Sequence, residues 1–141
     1  EEAKERFRAA LEIDTKFDKA WVGLAVVHQS MGDFVLAKAN IENALDVNPS
    51  NRTAVLLSSS WGIRENDYSV CTEHLQKYLE TVEFDEEASL LLAHLFCLQG
   101  QRMQAQLEVE RLLLWHPENE KFQQLEIELR NQTEQFQKKD A

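Results

Sequence analysis

The stretch WVGLAVVHQSMGDFVLAKA, residues 21–39, combines a large aromatic residue, several small residues and a turn signal. Gly32 can adopt the left-handed conformation that ends a helix, and Asp33 can cap the helix that follows. Before this break, four residues recur at helical spacing and therefore share one face. They are Trp21, Leu24, Ala25 and His28. The stretch predicts two amphipathic helices joined by a tight turn, the second of which ends at Asn48-Pro49.

The pattern recurs when the sequence is shifted by 34 residues. Gly32 falls in register with Asn66 and Gly100. The other matching sets are Ala37 with Cys71 and Ala105, Ile41 with Leu75 and Val109, and Leu45 with Leu79 and Leu113. Self-similarity at a fixed period of this length is typical of stacked supersecondary units. The chain is therefore predicted to consist of repeated helix pairs.

Small side chains recur where the two helices of a pair should approach most closely. They are Ala25, Ser59 and Ala93 on the first helices, and Ala37, Cys71 and Ala105 on the second helices. Large neighbours such as Trp21 and Ile41 would fill the space around this contact. The inner face of the second helix in the first pair would carry Phe34, Ala37, Ile41, Ala44 and Leu45.

These residues resemble those of the tetratricopeptide-repeat (TPR) family. The resemblance rests on Trp21, Leu24, Ala25, Gly32, Phe34, Ala37, Ala44 and Pro49, and on their counterparts one repeat further along. It implies an all-α fold, a right-handed superhelical solenoid of antiparallel helix pairs with about three TPR units plus flanking helices. A fold of this kind says little about function by itself.

The repeat period divides the chain into five segments. They are residues 1–17 as the second helix of a truncated repeat, 18–51 as repeat 1, 52–85 as repeat 2, 86–119 as repeat 3, and 120–141 as a C-terminal capping helix with a tail. Repeat 2 is degenerate, because Val55, Ser58 and Gly62 stand where larger residues usually pack, which predicts a softer middle repeat. The unpaired first helix suggests an excised piece of a longer array, or else it packs onto repeat 1 as an edge.

The last helix is predicted to have one apolar face. Its stripe consists of Phe122, Leu125, Leu129 and Phe136, and its other faces are kept polar by Glu120, Glu126, Glu128, Arg130 and Glu134. A half-polar cover of this kind keeps the end of a repeat array soluble.

The resemblance also implies a concave surface lined by the first helix of each repeat. The candidate partner-binding residues are Val22, Val26, Gln29, Leu56, Ser60, Ile63, Arg64, Leu90, His94, Cys97 and Leu98, with Lys19, Ser30, Thr53 and Glu87 beside them. The centre of this strip is apolar, which favours a peptide or helix of a partner protein as the ligand. The alternative is that these side chains touch neighbouring helices and are already partly buried.

Family members that act as chaperone clamps grip the terminal carboxylates of a peptide with Lys, Asn and Arg. The comparable places here hold Val22, Val26, Leu57, Glu87 and Leu91. An acidic C-terminal peptide of a heat-shock chaperone is therefore not the expected ligand.

Composition argues against several other classes of function. A net charge of −10 disfavours nucleic-acid binding, and no apolar run is long enough to predict membrane insertion. His94 and Cys97 lie three residues apart, but the further ligands of a zinc site are missing. No phosphate loop, nucleophile elbow or paired-carboxylate motif occurs, so neither a cofactor nor an enzymatic activity is predicted. Cys71 and Cys97 are expected to be free buried thiols, which favours a cytoplasmic location.

Three functional hypotheses follow. The first is a non-catalytic TPR scaffold or adaptor that binds a protein or peptide partner. The second is a self-associating structural scaffold, in which the Phe7/Leu11 face of the N-terminal helix forms a homo-oligomer. The third is a regulatory domain of a multidomain enzyme.

Overall fold

The computed structural model describes the backbone of residues 1–140 and their side chains, except those of Phe136, Lys139 and Asp140. All regular structure in this part of the chain is helical, which confirms the predicted all-α repeat fold. The helices are α1 (Glu2–Ile13), α2 (Asp18–Ser30), α3 (Phe34–Val47), α4 (Arg52–Glu65), α5 (Tyr68–Thr81), α6 (Glu86–Leu98), α7 (Arg102–Trp115) and α8 (Glu120–Asp140). They form two compact units. The N-terminal unit, Glu1–Val82, holds α1 to α5, and the C-terminal unit begins at Glu83 and holds α6 to α8.

The helices are separated by turns whose residues satisfy the helix ends locally. Left-handed backbone conformations occur at Gly32, Asn66 and Gly100, with φ of 80°, 59° and 73°. Among the described residues, four side chains just before a helix accept a hydrogen bond from the backbone N–H three residues later. They belong to Asp33, Asn51, Asp85 and Asn119. These turns let the chain reverse direction within a few residues.

Consecutive helices pack in pairs: α2 with α3, α4 with α5, and α6 with α7. The small residues of the predicted seam are all buried, none of them more than 2% exposed. They are Ala25, Ser59, Ala93, Ala37, Cys71 and Ala105. Side chains of this size allow two helix backbones to lie close together, so their burial fits the predicted seam.

α1 packs against α2. Leu11 is buried in a cluster with Ala20 and Leu24, and the ring of Phe7 occupies the space beside Gly23. A β-carbon at Gly23 would lie 2.4 Å from that ring, which explains why a glycine stands so early in α2. α2 covers Leu11 and part of Phe7, and the homo-oligomer contact through the N-terminal helix stays a prediction.

Phe34 departs from the predicted inner face of α3. As the first residue of α3 it lies at the edge of the hairpin, and its side chain is exposed. The guanidinium of Arg64 lies 5.7 Å from the centre of the Phe34 ring, a cation–π distance. The expectation that Phe34 packs inside the hairpin is therefore wrong, whereas the other four residues of the predicted face are buried. They are Ala37, Ile41, Ala44 and Leu45.

Gly62 is packed more tightly than its size suggests. A β-carbon at this position would lie 2.7 Å from the backbone oxygen of Asp67 and 2.7 Å from Sγ of Cys71. The start of α5 therefore comes close enough to occupy the space on one side of Gly62. Trp61 and Tyr78 are buried in the same unit and add volume to it.

Ser58 contributes hydrogen bonding where the repeat pattern expects apolar packing. Its Oγ lies 2.8 Å from His74 Nδ1, and His74 Nε2 lies 3.1 Å from a carboxylate oxygen of Glu42. A cavity of about 60 Å³ remains beside Ser58 and Gly62. Buried polar groups that are hydrogen-bonded carry a smaller cost than unpaired ones, so this network partly offsets the missing apolar contact. The softer middle repeat stays a prediction.

In the C-terminal unit, α8 packs on α7. Three of the predicted stripe residues are buried or half-buried: Phe122, Leu125 and Leu129. The side chain of Phe136, expected in the same stripe, lies outside the described side chains. Glu126, expected on a polar face, is buried, and the guanidinium of Arg130 donates to both of its carboxylate oxygens. This ion pair offsets the cost of burying the carboxylate.

We expect Gly62→Ala to destabilise the chain, although alanine normally favours a helix over glycine by about 1 kcal/mol. The added methyl group would press on a backbone oxygen that cannot rotate away, at a cost of about 1–3 kcal/mol. Urea unfolding should therefore give a lower midpoint than for the unmodified protein. Ser60→Ala, on the exposed side of the same helix, serves as the control and should be neutral or slightly stabilising. A Gly62→Ala protein as stable as the Ser60→Ala protein would contradict the close approach of α4 and α5.

Candidate functional site

The candidate groove residues of the N-terminal unit lie on α2 and α4. Val26, Ser60 and Arg64 are exposed, whereas Gln29, Leu56 and Ile63 are half-buried. Val22 is 8% exposed, so the expectation that it stands open in a groove is wrong. It lines a depression together with residues of the turn before α4.

This depression lies beside the starts of α2 and α4 and has a volume of about 400 Å³. Its lining residues are Asp18, Lys19, Val22, Asn48, Ser50, Asn51, Arg52 and Thr53. The structure thus brings together Lys19, Val22 and Thr53, which the sequence places on two different helices. The first turns of α2 and α4 lie side by side at this end of the unit.

Asp18 ties the turn between α3 and α4 to the start of α2. Its Oδ2 accepts hydrogen bonds from the side-chain amides of Asn48, at 3.0 Å, and Asn51, at 2.7 Å. Asn51 Oδ1 in turn accepts a hydrogen bond from the backbone N–H of Ala54 and caps α4. One side-chain network therefore fixes the relative position of the two helix starts.

The hydrogen bonds to Asp18 also determine its protonation. Partial burial would raise the pKa of this carboxyl, but hydrogen bonds from the amides of Asn48 and Asn51, together with those from the backbone of Asp18 and Lys19, stabilise the charged form more strongly. The pKa of Asp18 is therefore lowered from its ordinary value of 3.8. The carboxylate is charged at neutral pH and holds both amides in place.

Asp18, Asn48 and Asn51 are not among the residues predicted for a site. Short polar residues of this kind are common at helix caps and turns, so their pattern in the sequence does not reveal the contact between them. The available signal was the recurrence of short polar side chains on both sides of Pro49. The repeat pattern predicts which residues occupy equivalent positions in each hairpin. It does not show which side chains contact one another across a turn.

The remaining candidates lie on α6 in the C-terminal unit. Leu90 is half-buried, and His94, Cys97 and Leu98 are exposed. The expectation that both cysteines are buried is wrong for Cys97, whereas Cys71 is buried. Cys97 falls on the side of α6 that the helix pair leaves uncovered.

Desolvation by neighbouring groups raises the pKa of both thiols. Near Cys97 the charge of Arg102 opposes this shift, and at Cys71 the carboxylate of Asp67 adds to it. A raised pKa keeps each thiol protonated at neutral pH, which is unlike a catalytic cysteine.

Metal ligands do not gather within the described residues: no group of three or more His, Cys, Asp or Glu side chains is arranged to hold an ion there. Over the same residues, none of the helices has the length and apolar character needed to cross a bilayer.

No protein-family model and no curated protein matches the sequence. Solved structures do match it. YrrB, described as a TPR protein with an unusual peptide-binding site, superposes with a TM-score of 0.62 at 18% identity, over 85% of this chain and 62% of that chain. The chain has the TPR fold. PilF of Pseudomonas aeruginosa gives a TM-score of 0.66 at 20% identity, over 96% of this chain and 62% of that chain.

Two further structures show how widely this TPR fold recurs. A double mutant of MamA RS-1 gives a TM-score of 0.68 at 14% identity, over 94% of this chain and 75% of that chain. The Naa15/Naa10 complex bound to HypK-THB gives 0.59 at 19% identity, over 75% of this chain but 16% of that chain. The chain spans less than two thirds of the length of YrrB, PilF and the Naa15/Naa10 structure.

We expect Asp18→Asn to lower the free energy of unfolding at neutral pH and to have little effect in acid. The folded-state pKa of Asp18 lies below the ordinary 3.8, so its stabilisation is present above that value and is lost as the pH falls through the folded pKa. After allowance for solvent screening, the expected loss at about pH 7 is about 0.5–1 kcal/mol. Chemical denaturation at several pH values measures it.

The exposed Glu12→Gln variant of α1 controls for the removal of one negative charge. Its unfolding free energy should stay close to that of the unmodified protein at neutral pH. A difference for Asp18→Asn that persists unchanged to about pH 2 would show that the carboxylate network is not its source.

Proposed function

We propose that this chain is a non-catalytic protein-interaction module that binds an apolar peptide or helix of a partner protein. The site is the first-helix face of the N-terminal unit, formed by α2 and α4. Two observations carry the proposal. Val26 on α2, and Leu56 and Ile63 on α4, are apolar side chains that are exposed or half-buried, and the starts of these two helices line one depression. Apolar side chains left open to water in this way mark interaction surfaces.

The surroundings of this strip suit a peptide or helix ligand. Its rim is polar, with Lys19, Thr53 and Ser60 exposed around the apolar centre. Interfaces commonly combine an apolar centre with a polar rim of this kind. An amphipathic helix can place its apolar face on such a strip through residues one turn apart.

The comparisons support a binding role of this kind. YrrB is described with a peptide-binding site, and the Naa15/Naa10 structure contains bound HypK. On this chain, apolar residues occupy the positions at which chaperone clamps bind carboxylates, including Val26 and Leu57. We therefore propose an apolar segment as the ligand, without a role for its terminal carboxylate.

The second part of the proposed surface lies on α6 and is treated by itself. Leu90, His94, Cys97 and Leu98 are exposed or half-buried on one helix of the C-terminal unit. Cys97 offers a direct probe of this surface, because the other thiol, Cys71, is buried. A ligand on α6 should slow the reaction of Cys97 with a maleimide.

The proposal is tested by selecting random peptides of about 12–20 residues, enough for three to five helical turns, on the immobilised full chain. Selected peptides are then measured by fluorescence anisotropy against Val26→Asp and Leu56→Asp variants. Each variant puts a charge into the apolar strip, so we expect peptide affinity to fall by about tenfold or more in each.

Val35→Asp is the matched control, because Val35 is also an exposed valine but lies on α3, outside the strip. Its affinity for the selected peptides should equal that of the unmodified protein. The proposal is contradicted if the selected peptides bind the unmodified protein and the Val26→Asp, Leu56→Asp and Val35→Asp variants with equal affinity. The binding surface would then lie outside the first-helix face.

A further inference from the structure

Glu108 on α7 has a carboxylate oxygen that is buried without a hydrogen-bond partner. Its side chain is 15% exposed, and nothing within the described residues donates a hydrogen bond to Oε2. The other oxygen, Oε1, lies 3.6 Å from the guanidinium of Arg111, one turn further along the same helix, which is too far for a hydrogen bond. The charged carboxylate therefore lacks both hydration and a direct partner at Oε2, and this makes the charged form costly.

The two earlier hairpins satisfy the polar side chain at the equivalent position of the repeat. Asn40 on α3 contacts His28 of α2, with 2.7 Å between Asn40 Oδ1 and Nδ1 of the ring. His74 on α5 lies 2.8 Å from Ser58 Oγ of α4. In both hairpins, a polar side chain on the second helix is thus matched by one on the first helix of the same pair.

In the third hairpin, α6 offers no polar side chain at the matching positions. Phe96 and Leu92 occupy the places that correspond to His28 and Ser58, and both are buried. Apolar side chains cannot hydrogen-bond a carboxylate, but they pack against a neutral group at a smaller cost. The contact between α6 and α7 therefore favours the protonated form of Glu108.

The titratable groups of α6 do not compensate for the burial of Glu108. The acidic residues Glu86 and Glu87 lie in its first turn, and His94 and Cys97 lie further along the helix. All four are exposed to water.

α8, which packs on the other side of α7, does not supply a partner either. Its buried carboxylate, Glu126, is taken up by Arg130, which donates to both carboxylate oxygens. The other charged side chains that the structure describes on α8 are exposed. Burial therefore raises the pKa of Glu108 from its ordinary value of 4.5, and the charge of Arg111 opposes this shift only in part.

We propose that Glu108 is a pH-sensitive element built into the third hairpin: protonation of its carboxyl group stabilises the packing of α6 on α7, and loss of the proton weakens it. The group has a higher pKa in the folded chain than in the unfolded chain. Its stabilisation is therefore complete below the unfolded value and is lost as the pH rises through the folded value. The pH then controls how often α6 separates from α7.

The first test compares the unmodified full chain with Glu108→Gln, which keeps the side chain neutral at every pH. Urea unfolding is measured from about pH 4.5 to about pH 7.5, the range over which a carboxyl group of raised pKa loses its proton. The folding equilibrium constant of the variant is divided by that of the unmodified protein at each pH, which removes the effect of the other titrating groups. We expect this ratio to increase by about threefold or more as the pH rises.

Glu108→Leu is a second variant that matches the apolar side chains of Phe96 and Leu92. It should show the same increase, and it keeps the test decisive if the amide of Gln packs poorly against α6. Glu110→Gln is the matched control, because it removes the same charge from an exposed position two residues along α7. Its ratio should stay constant. The proposal is overturned if the ratios for both Glu108 variants stay constant or decrease as the pH rises, or if Glu110→Gln gives an equal increase.

The second test locates the effect by amide hydrogen exchange and mass spectrometry. After correction for the pH dependence of the chemical exchange rate, α6 and α7 of the unmodified protein should lose about threefold or more of their protection between the two pH values, compared with Glu108→Gln. α2 and α3, where Asn40 stands at the equivalent position, should show no such difference. An equal loss in α2 and α3 would overturn the proposal. Neither test uses a peptide ligand, so this proposal and the peptide site on α2 and α4 can fail separately.

Discussion

Close approach of the two helices in each hairpin is the constraint on which the rest of this structure depends. It requires small residues on both helices at matching positions, and those positions are filled by Ala25 and Ala37 in the first pair. With the helices this close, each contributes one face to the core and leaves a defined outer face. The seam therefore determines which helix faces remain for partners. The turns at Gly32 and Gly100 reverse the chain direction so that the second helix can pack on the first.

The second hairpin shows how the same constraint is met with unusual residues. Its seam residues Ser59 and Cys71 are buried, and the absence of a side chain at Gly62 also lets the start of α5 approach α4. Ser58 then reaches His74, and His74 reaches Glu42 on α3, so hydrogen bonds link three helices beside a small cavity. Such a network is more directional than apolar packing and fixes the helices through particular atoms.

The proposed surface follows from which outer faces stay apolar. On α2 and α4 the apolar side chains of Val26, Leu56 and Ile63 are exposed or half-buried, and Asp18 links the starts of the two helices through its hydrogen bonds with Asn48 and Asn51. Apolar side chains on two helices whose starts lie side by side suit an elongated ligand.

The amino-acid sequence by itself determined the helix pairs, their turns and their seam, because these depend on local conformational preferences and on spacings that recur every 34 residues. It also predicted most of the apolar strip. Only the tertiary structure decided that Val22 is buried, that Cys97 is exposed and that α2 covers Leu11. Those outcomes depend on which atoms of sequence-distant segments meet. A periodic pattern assigns a residue to a face of its own helix, but contacts with other segments decide whether that face is open to water.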